Sequence, residues 1–161
     1  MKRLLIYFSA FIQTACLSAF FGSQDPQSDR YRLGHLDANW EKIDPAGADQ
    51  AYRHRQNHSV FSISSACGDE RLRSLEDLLN DMQTQLSNVE TTSPPAYRTI
   101  EGHAVILSET KGNIDGQPMT MRAAVLRSKR CIYDFVLAGP NMSGDDRASF
   151  DQLLQSFRET K

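Results

Sequence analysis

Cysteine is the residue type with the most direct chemistry in this 161-residue chain, which holds three: Cys16, Cys67 and Cys131. The last two are too far apart to form a C-x-x-C redox pair. In an exported chain, two cysteines left over once Cys16 is set aside favour a disulfide. The competing reading is a pair of buried free thiols. A 67–131 bridge would close a loop of about 65 residues, which the chain-entropy model values at about 4 kcal/mol. It also sets a geometric condition, because the two Cα atoms must come within about 7 Å. Cys67 closes one strand-like pattern and Cys131 opens another. A bond between them therefore requires those strand ends to lie side by side.

Cys16 sits in a different context, "IQTAC", within an N-terminal stretch that is uncharged from Leu4 to Gln24 and follows Lys2 and Arg3. Leu4 to Ile12 suits the apolar segment of a signal peptide, which needs roughly 7–15 residues and then small residues at the cut. A retained anchor helix, needing roughly 20 mostly apolar residues, is the competitor. The stretch also resembles a bacterial lipobox, in which small residues precede an acylated cysteine. Thr14 and Ala15 match that motif and Gln13 departs from it. Cys16 is thus either a lipidation site or a residue lost with the leader. Residues 1–22 are expected to be a leader, 23–35 a polar tether and 36–161 a single domain.

Other chemistry finds little support. His54 and His58 are four apart but straddle an expected turn, and no set of three or four zinc ligands assembles around them. The chain has no G-x-S-x-G and no phosphate-cradling glycine motif. A thiolate pair of a cysteine with His103 has no local support. No cofactor is expected. Asp134 interrupts the otherwise apolar run CIYDFVLA. It is either a structural carboxylate whose hydrogen bonds are satisfied, one on a thinly covered sheet edge, or a functional acid of raised pKa. The net charge of −2 and the lack of a basic stripe exclude the usual footprint of nucleic-acid binding. Arg53-His54-Arg55 is the densest basic patch after the leader and reads as a solvated strand face. Two N-x-S triplets, at Asn57 and Asn141, have no bearing in the bacterial setting that the leader suggests.

The elements that must position these groups can be read from period. Val60 to Cys67 alternates, with the heavier Phe61 and Ile63 on one face. Leu72, Leu75, Leu78, Leu79, Met82 and Leu86 form a helical stripe, with Ser74 and Asp77 as a cap. Phe150, Leu153, Leu154 and Phe157 form a second stripe after Ser143 and Asp146. Further strands are expected at 36–43, 51–56, 97–101, 103–109, 119–127 and 131–138, with a loop at Thr91–Pro95 and turns at Lys111–Asn113 and Asp115–Gly116. Turn-linked strands make a meander, and two one-faced helices must cover sheet surface. The expected fold class is α+β, an antiparallel sheet of about six strands covered by two amphipathic helices in a sandwich.

This order resembles the PsbP/DcrB-like fold, shared by the photosystem extrinsic protein PsbP, a yeast Ran-binding import factor and the bacterial lipoprotein DcrB. The resemblance spans about residues 36–158. It rests on the Trp40 strand, the strand before the Leu-rich helix, the meander, "CIYDFVL" and "SFDQLLQSF". It carries over no functional residue. It implies a binding or assembly role, since members of that fold mostly act so.

Three functional readings follow. The first is a non-enzymatic envelope binding or assembly module, engaging an envelope protein partner and held to the membrane by lipid or leader. The second is a carrier of small molecules or lipids, which requires an apolar cavity between sheet and helix. The third is an envelope hydrolase using Asp134 or a histidine, which requires titratable groups converging in a pocket.

Overall fold

The structure, a computed structural model, describes residues 30–160. Cys16 and the expected leader, residues 1–22, lie outside the described residues. In chain order the elements are β1 (Tyr31–Arg32), β2 (Trp40–Ile43), β3 (Gln50–His54), β4 (Val60–Cys67), a 3-10 turn (Asp69–Leu72), α1 (Leu75–Gln83), β5 (Ser87–Ile100), β6 (His103–Ile114), β7 (Gln117–Arg127), β8 (Cys131–Gly139), α2 (Gly144–Ser156) and β9 (Arg158–Glu159). The fold is α+β. A seven-stranded sheet runs β2-β3-β4-β8-β7-β6-β5 with every pairing antiparallel, and β1 pairs with β9 in a separate ribbon.

Alternation along the strands divides the core in two. Phe61 and Ile63 of β4 and Tyr133, Phe135 and Leu137 of β8 pack with Phe150, Leu153 and Leu154 of α2. The opposite parity, including Ile106, Met121, Ala123, Val125 and Ile132, packs with Leu75, Leu78 and Leu79 of α1. Each helix presents the stripe its sequence period demands. Ser74 caps α1, its Oγ accepting the Asp77 N–H at 3.0 Å. Leu72 was expected in that stripe but is 75% exposed, because the helix starts only after the cap and the 3-10 turn carries Leu72 outward.

Asp146 does more than close the capping box of α2. Its Oδ2 accepts from the Ser143 N–H at 2.7 Å, from Asn57 Nδ2 at 2.7 Å and from Ser59 Oγ at 3.3 Å. The start of α2 is thereby tied to the β3–β4 turn. Asp146→Ala strands the buried Ser59 hydroxyl and the half-buried Asn57 amide as well as the cap, so a loss of about 2–4 kcal/mol in urea unfolding is expected. Ser74→Ala, at an exposed cap, should cost about 1 kcal/mol. Equal losses from the two variants would refute the tie.

Several expectations are corrected. Thr91–Pro95 is not a loop but the middle of β5. Proline cannot donate to a ladder, yet β5 is a sheet edge and its register shifts between Thr91 and Ser93 and again between Ser93 and Ala96. Edge strands with bulges are where proline is tolerated. Lys111–Asn113 is likewise strand, and the β6–β7 turn is Asp115–Gly116 alone, both at positive φ. Gly112 sits within β6 because a Cβ there would meet the Ser87 carbonyl oxygen at 2.8 Å. Part of the stretch 23–35, expected as a tether, packs on the domain. Tyr31 is 2% exposed, edge-on to Tyr133 and stacked with Phe157, so the domain includes residues before 36.

Candidate functional site

The α1 face of the sheet is incompletely covered. Nine helical residues span about 13 Å, whereas the eleven residues of β7 beneath span about 36 Å. The second cause is side-chain size. The lighter parity of β4 turns Val60, Ser62 and Ser64 to this face, and β8 turns Asp134, Val136 and Ala138 to it. A cleft of about 160 Å³ remains between these strands and α1. Met82 of α1, Ile114 of β6 and Met119 and Met121 of β7 form its apolar wall, and His58, Gly139 and Pro140 lie at its end.

Asp134 is the acidic residue in this lining. It pairs in register with Ser64 of β4 and Val125 of β7, so it stands in the middle of the sheet and not at an edge. Its Oδ1 is sealed from solvent with no hydrogen-bond partner among the described residues. The carboxyl is therefore not the satisfied structural group that a buried aspartate usually is. Burial pushes its pKa up to about 7, the negative charge of Glu70 adds to that, and Arg73 works against it. Arg73 is itself engaged, with Asp81 at 2.5 Å and Glu70 at 3.5 Å.

The other polar clusters form ion pairs and hydrogen bonds of their own. On the α2 side, Glu109 receives Arg147 Nε at 2.9 Å and Nη2 at 2.8 Å, and the guanidinium holds its carboxyl below the usual range. Arg122 bridges Glu109 to Asp151 and lies 5.6 Å from the Phe150 ring centroid. This network pins α2 to β6 and β7, and no local period signals it. Ser59, His54 and Asp146 have the residue types of a nucleophilic triad but not its order. Ser59 donates to the aspartate, while His54 Nε2 lies 4.0 Å from that same carboxylate and its Nδ1 accepts turn amides. Ser59 is also fully buried.

Cys67 and Cys131 are direct register partners on β4 and β8, at disulfide distance with Cα atoms 4.1 Å apart. The condition set by the sequence is met. Arg53 pairs with Glu41 across β2 and β3 at 2.6 Å, which draws down the Glu41 pKa. His54 and His58 flank the β3–β4 turn, and His103 lies edge-on to Phe157. Among the described residues no group of three or more His, Cys, Asp or Glu could hold a metal ion, and no helix is long and apolar enough to cross a membrane. Reasoning from sequence singled out Asp134 but missed the cleft around it. The available signal was the run of small residues, Ser62, Ser64 and Ala66, on one parity of β4.

No protein-family model and no curated protein sequence matches this chain. Solved structures do. The solution structure of cyanobacterial PsbP (CyanoP) from Synechocystis sp. PCC 6803 is similar with a TM-score of 0.57 and 16% identity, over 86% of this chain and 91% of that one. A crystal structure from Bacteroides thetaiotaomicron VPI-5482 is similar at TM-score 0.57 and 11% identity, over 81% of this chain but 45% of that one. At such identities the likeness is one of fold: this chain has a PsbP-like fold.

Proposed function

We propose that this protein is a non-catalytic binding module of the bacterial cell envelope that holds a small apolar ligand in the cleft beside α1. The observation that carries this reading is the cleft itself. Methionine, valine and isoleucine side chains line open space between sheet and helix where a closed core would leave none. Of the two binding roles expected from the sequence, this favours the carrier over the assembly module. Its 160 Å³ is close to the roughly 150 Å³ that accommodates benzene and below the roughly 300 Å³ of a pocket for a drug-sized molecule. The ligand, or the part of it that is held, is one ring or a short alkyl segment. The envelope setting is supported by the cysteine pair and by the leader with its candidate lipidation site at Cys16. Anchoring there would keep the module at the membrane, near an envelope partner that passes on or receives the ligand.

Methionine methyl NMR tests this directly. Toluene is expected to shift the methyl signals of Met82, Met119 and Met121 in a saturable way. Met142, packed on the α2 side, should stay in place. The absence of saturable shifts at millimolar toluene, or an equal response from Met142, would refute the cleft as a ligand site.

A further inference from the structure

We propose that the cleft selects alkylammonium compounds, with a short apolar chain lying against Met82, Met119 and Met121 and the ammonium group set against the carboxylate of Asp134. The proposal rests on the cleft being a ligand site and adds the charge of its ligand.

The chemistry follows from what Asp134 lacks. The domain also buries Asp49, Glu109 and Asp146; Glu109 is held by the guanidinium of Arg147, and Oδ2 of Asp146 by Asn57, Ser59 and the Ser143 amide. Asp134 has a sealed Oδ1 without a donor, in the lining of an open cleft. A buried acceptor left unmade costs about 1–3 kcal/mol, and natural structures rarely tolerate one without use. No ion pair to Asp134 forms among the described residues. Strand β4 presents Ser62 and Ser64, and β7 presents Val125 opposite it, with Arg127 two residues on donating to the Arg73 carbonyl. The 3-10 turn brings the like charge of Glu70, while Arg73 beyond it is divided between Glu70 and Asp81. His58 stands at the cleft end.

A carboxylate or phosphate ligand would add a second negative group to this field, and a plain hydrocarbon would leave the orphaned acid unchanged. An ammonium supplies the missing charge, set against the part of the carboxylate that lines the cleft. Unbranched, polarisable methionine side chains suit a flexible alkyl stem.

Three probes of equal length decide the matter: n-pentylamine, 1-pentanol and pentanoate, each titrated into the protein and read from the Met82, Met119 and Met121 methyl signals. At pH 8 the amine is expected to bind at least about tenfold tighter than the alcohol, the size of one charge-assisted hydrogen bond, and pentanoate the weakest. Asp134→Asn should abolish the amine's preference over the alcohol. A second readout needs no variant. The amine stays protonated throughout, so its affinity for the unmutated protein should fall from pH 8 to pH 5 as Asp134 takes up a proton, while the alcohol's stays level. Equal binding of amine and alcohol at pH 8, or an amine affinity independent of pH, would overturn the proposal and leave the cleft reading intact. If none of the three probes binds, the cleft reading itself fails.

Discussion

Reducing the Cys67–Cys131 bond is expected to lower the melting temperature of the protein by about 10 °C or more. The bond joins residues 64 apart in sequence and directly opposed on β4 and β8. In the chain-entropy model, releasing a loop of that length returns to the unfolded chain about 4 kcal/mol of conformational freedom. In a domain of this size each kcal/mol moves the melting temperature by a few degrees. The position adds to the effect, because β4 and β8 lie in the middle of the sheet and α2 packs against them. The Cys131 side is buried in the α2 core, whereas Cys67 is exposed at the strand end, so a thiol reductant has access to the bond. Differential scanning calorimetry with and without reductant, alongside a Cys67→Ala/Cys131→Ala variant, measures this. The reduced protein and the variant should melt together. A melting temperature unmoved by reductant would show that the cysteines are not bonded.

The second large effect belongs to Asp134. Its folded-state pKa, about 7, lies above the ordinary 3.8 of a free carboxylate. Between those two values the folded protein holds a proton that the unfolded chain has released. Stability therefore falls as pH rises across that window, being fully present below about pH 4 and lost by about pH 8. A shift of this size corresponds to at most about 4 kcal/mol, and partial access through the cleft reduces it to about 2–4 kcal/mol. Glu109 has the opposite sign, since Arg147 holds its pKa low and its contribution is lost as pH falls. The difference between the unmutated protein and Asp134→Asn isolates the single group. Measured by urea unfolding, that difference should grow in favour of Asp134→Asn from pH 4 to pH 8. A difference that is flat across this range would show that Asp134 ionises as freely in the folded protein as in water.

The two predictions meet in the cleft. The disulfide locks one end of β4 to β8, and Asp134 lies three residues along β8 from Cys131. A destabilising acid in a central strand is tolerable when the strands beside it are covalently fixed. Its retention there, where leucine or valine would stabilise the sheet, is what gives the cleft a chemical preference.

Local period determined much of this protein. Phe61 alternating with Ser62, and leucines recurring at three and four around Leu75, specify strand and helix because each pattern repeats within one or two turns of backbone. Ser74 and Ser143 announce helix starts for the same local reason. The facing of Cys67 and Cys131 was a condition of the bond expected between them, and the register of β4 and β8 meets it. The prolines of β5 misled, since their tolerance depends on an edge position that only the assembled sheet defines. Tyr31 was hidden for a similar cause, its partner Glu159 lying at the other end of the domain. The cleft belongs wholly to tertiary structure. It exists because a nine-residue helix is shorter than the strands beneath it, and because antiparallel register sets the small residues of β4 beside Asp134 of β8, 70 positions from Ser64. No window along the chain contains both. Sequence alone named the acid, and packing decided that its Oδ1 would be left without a hydrogen-bond partner, in a residue that lines the cleft.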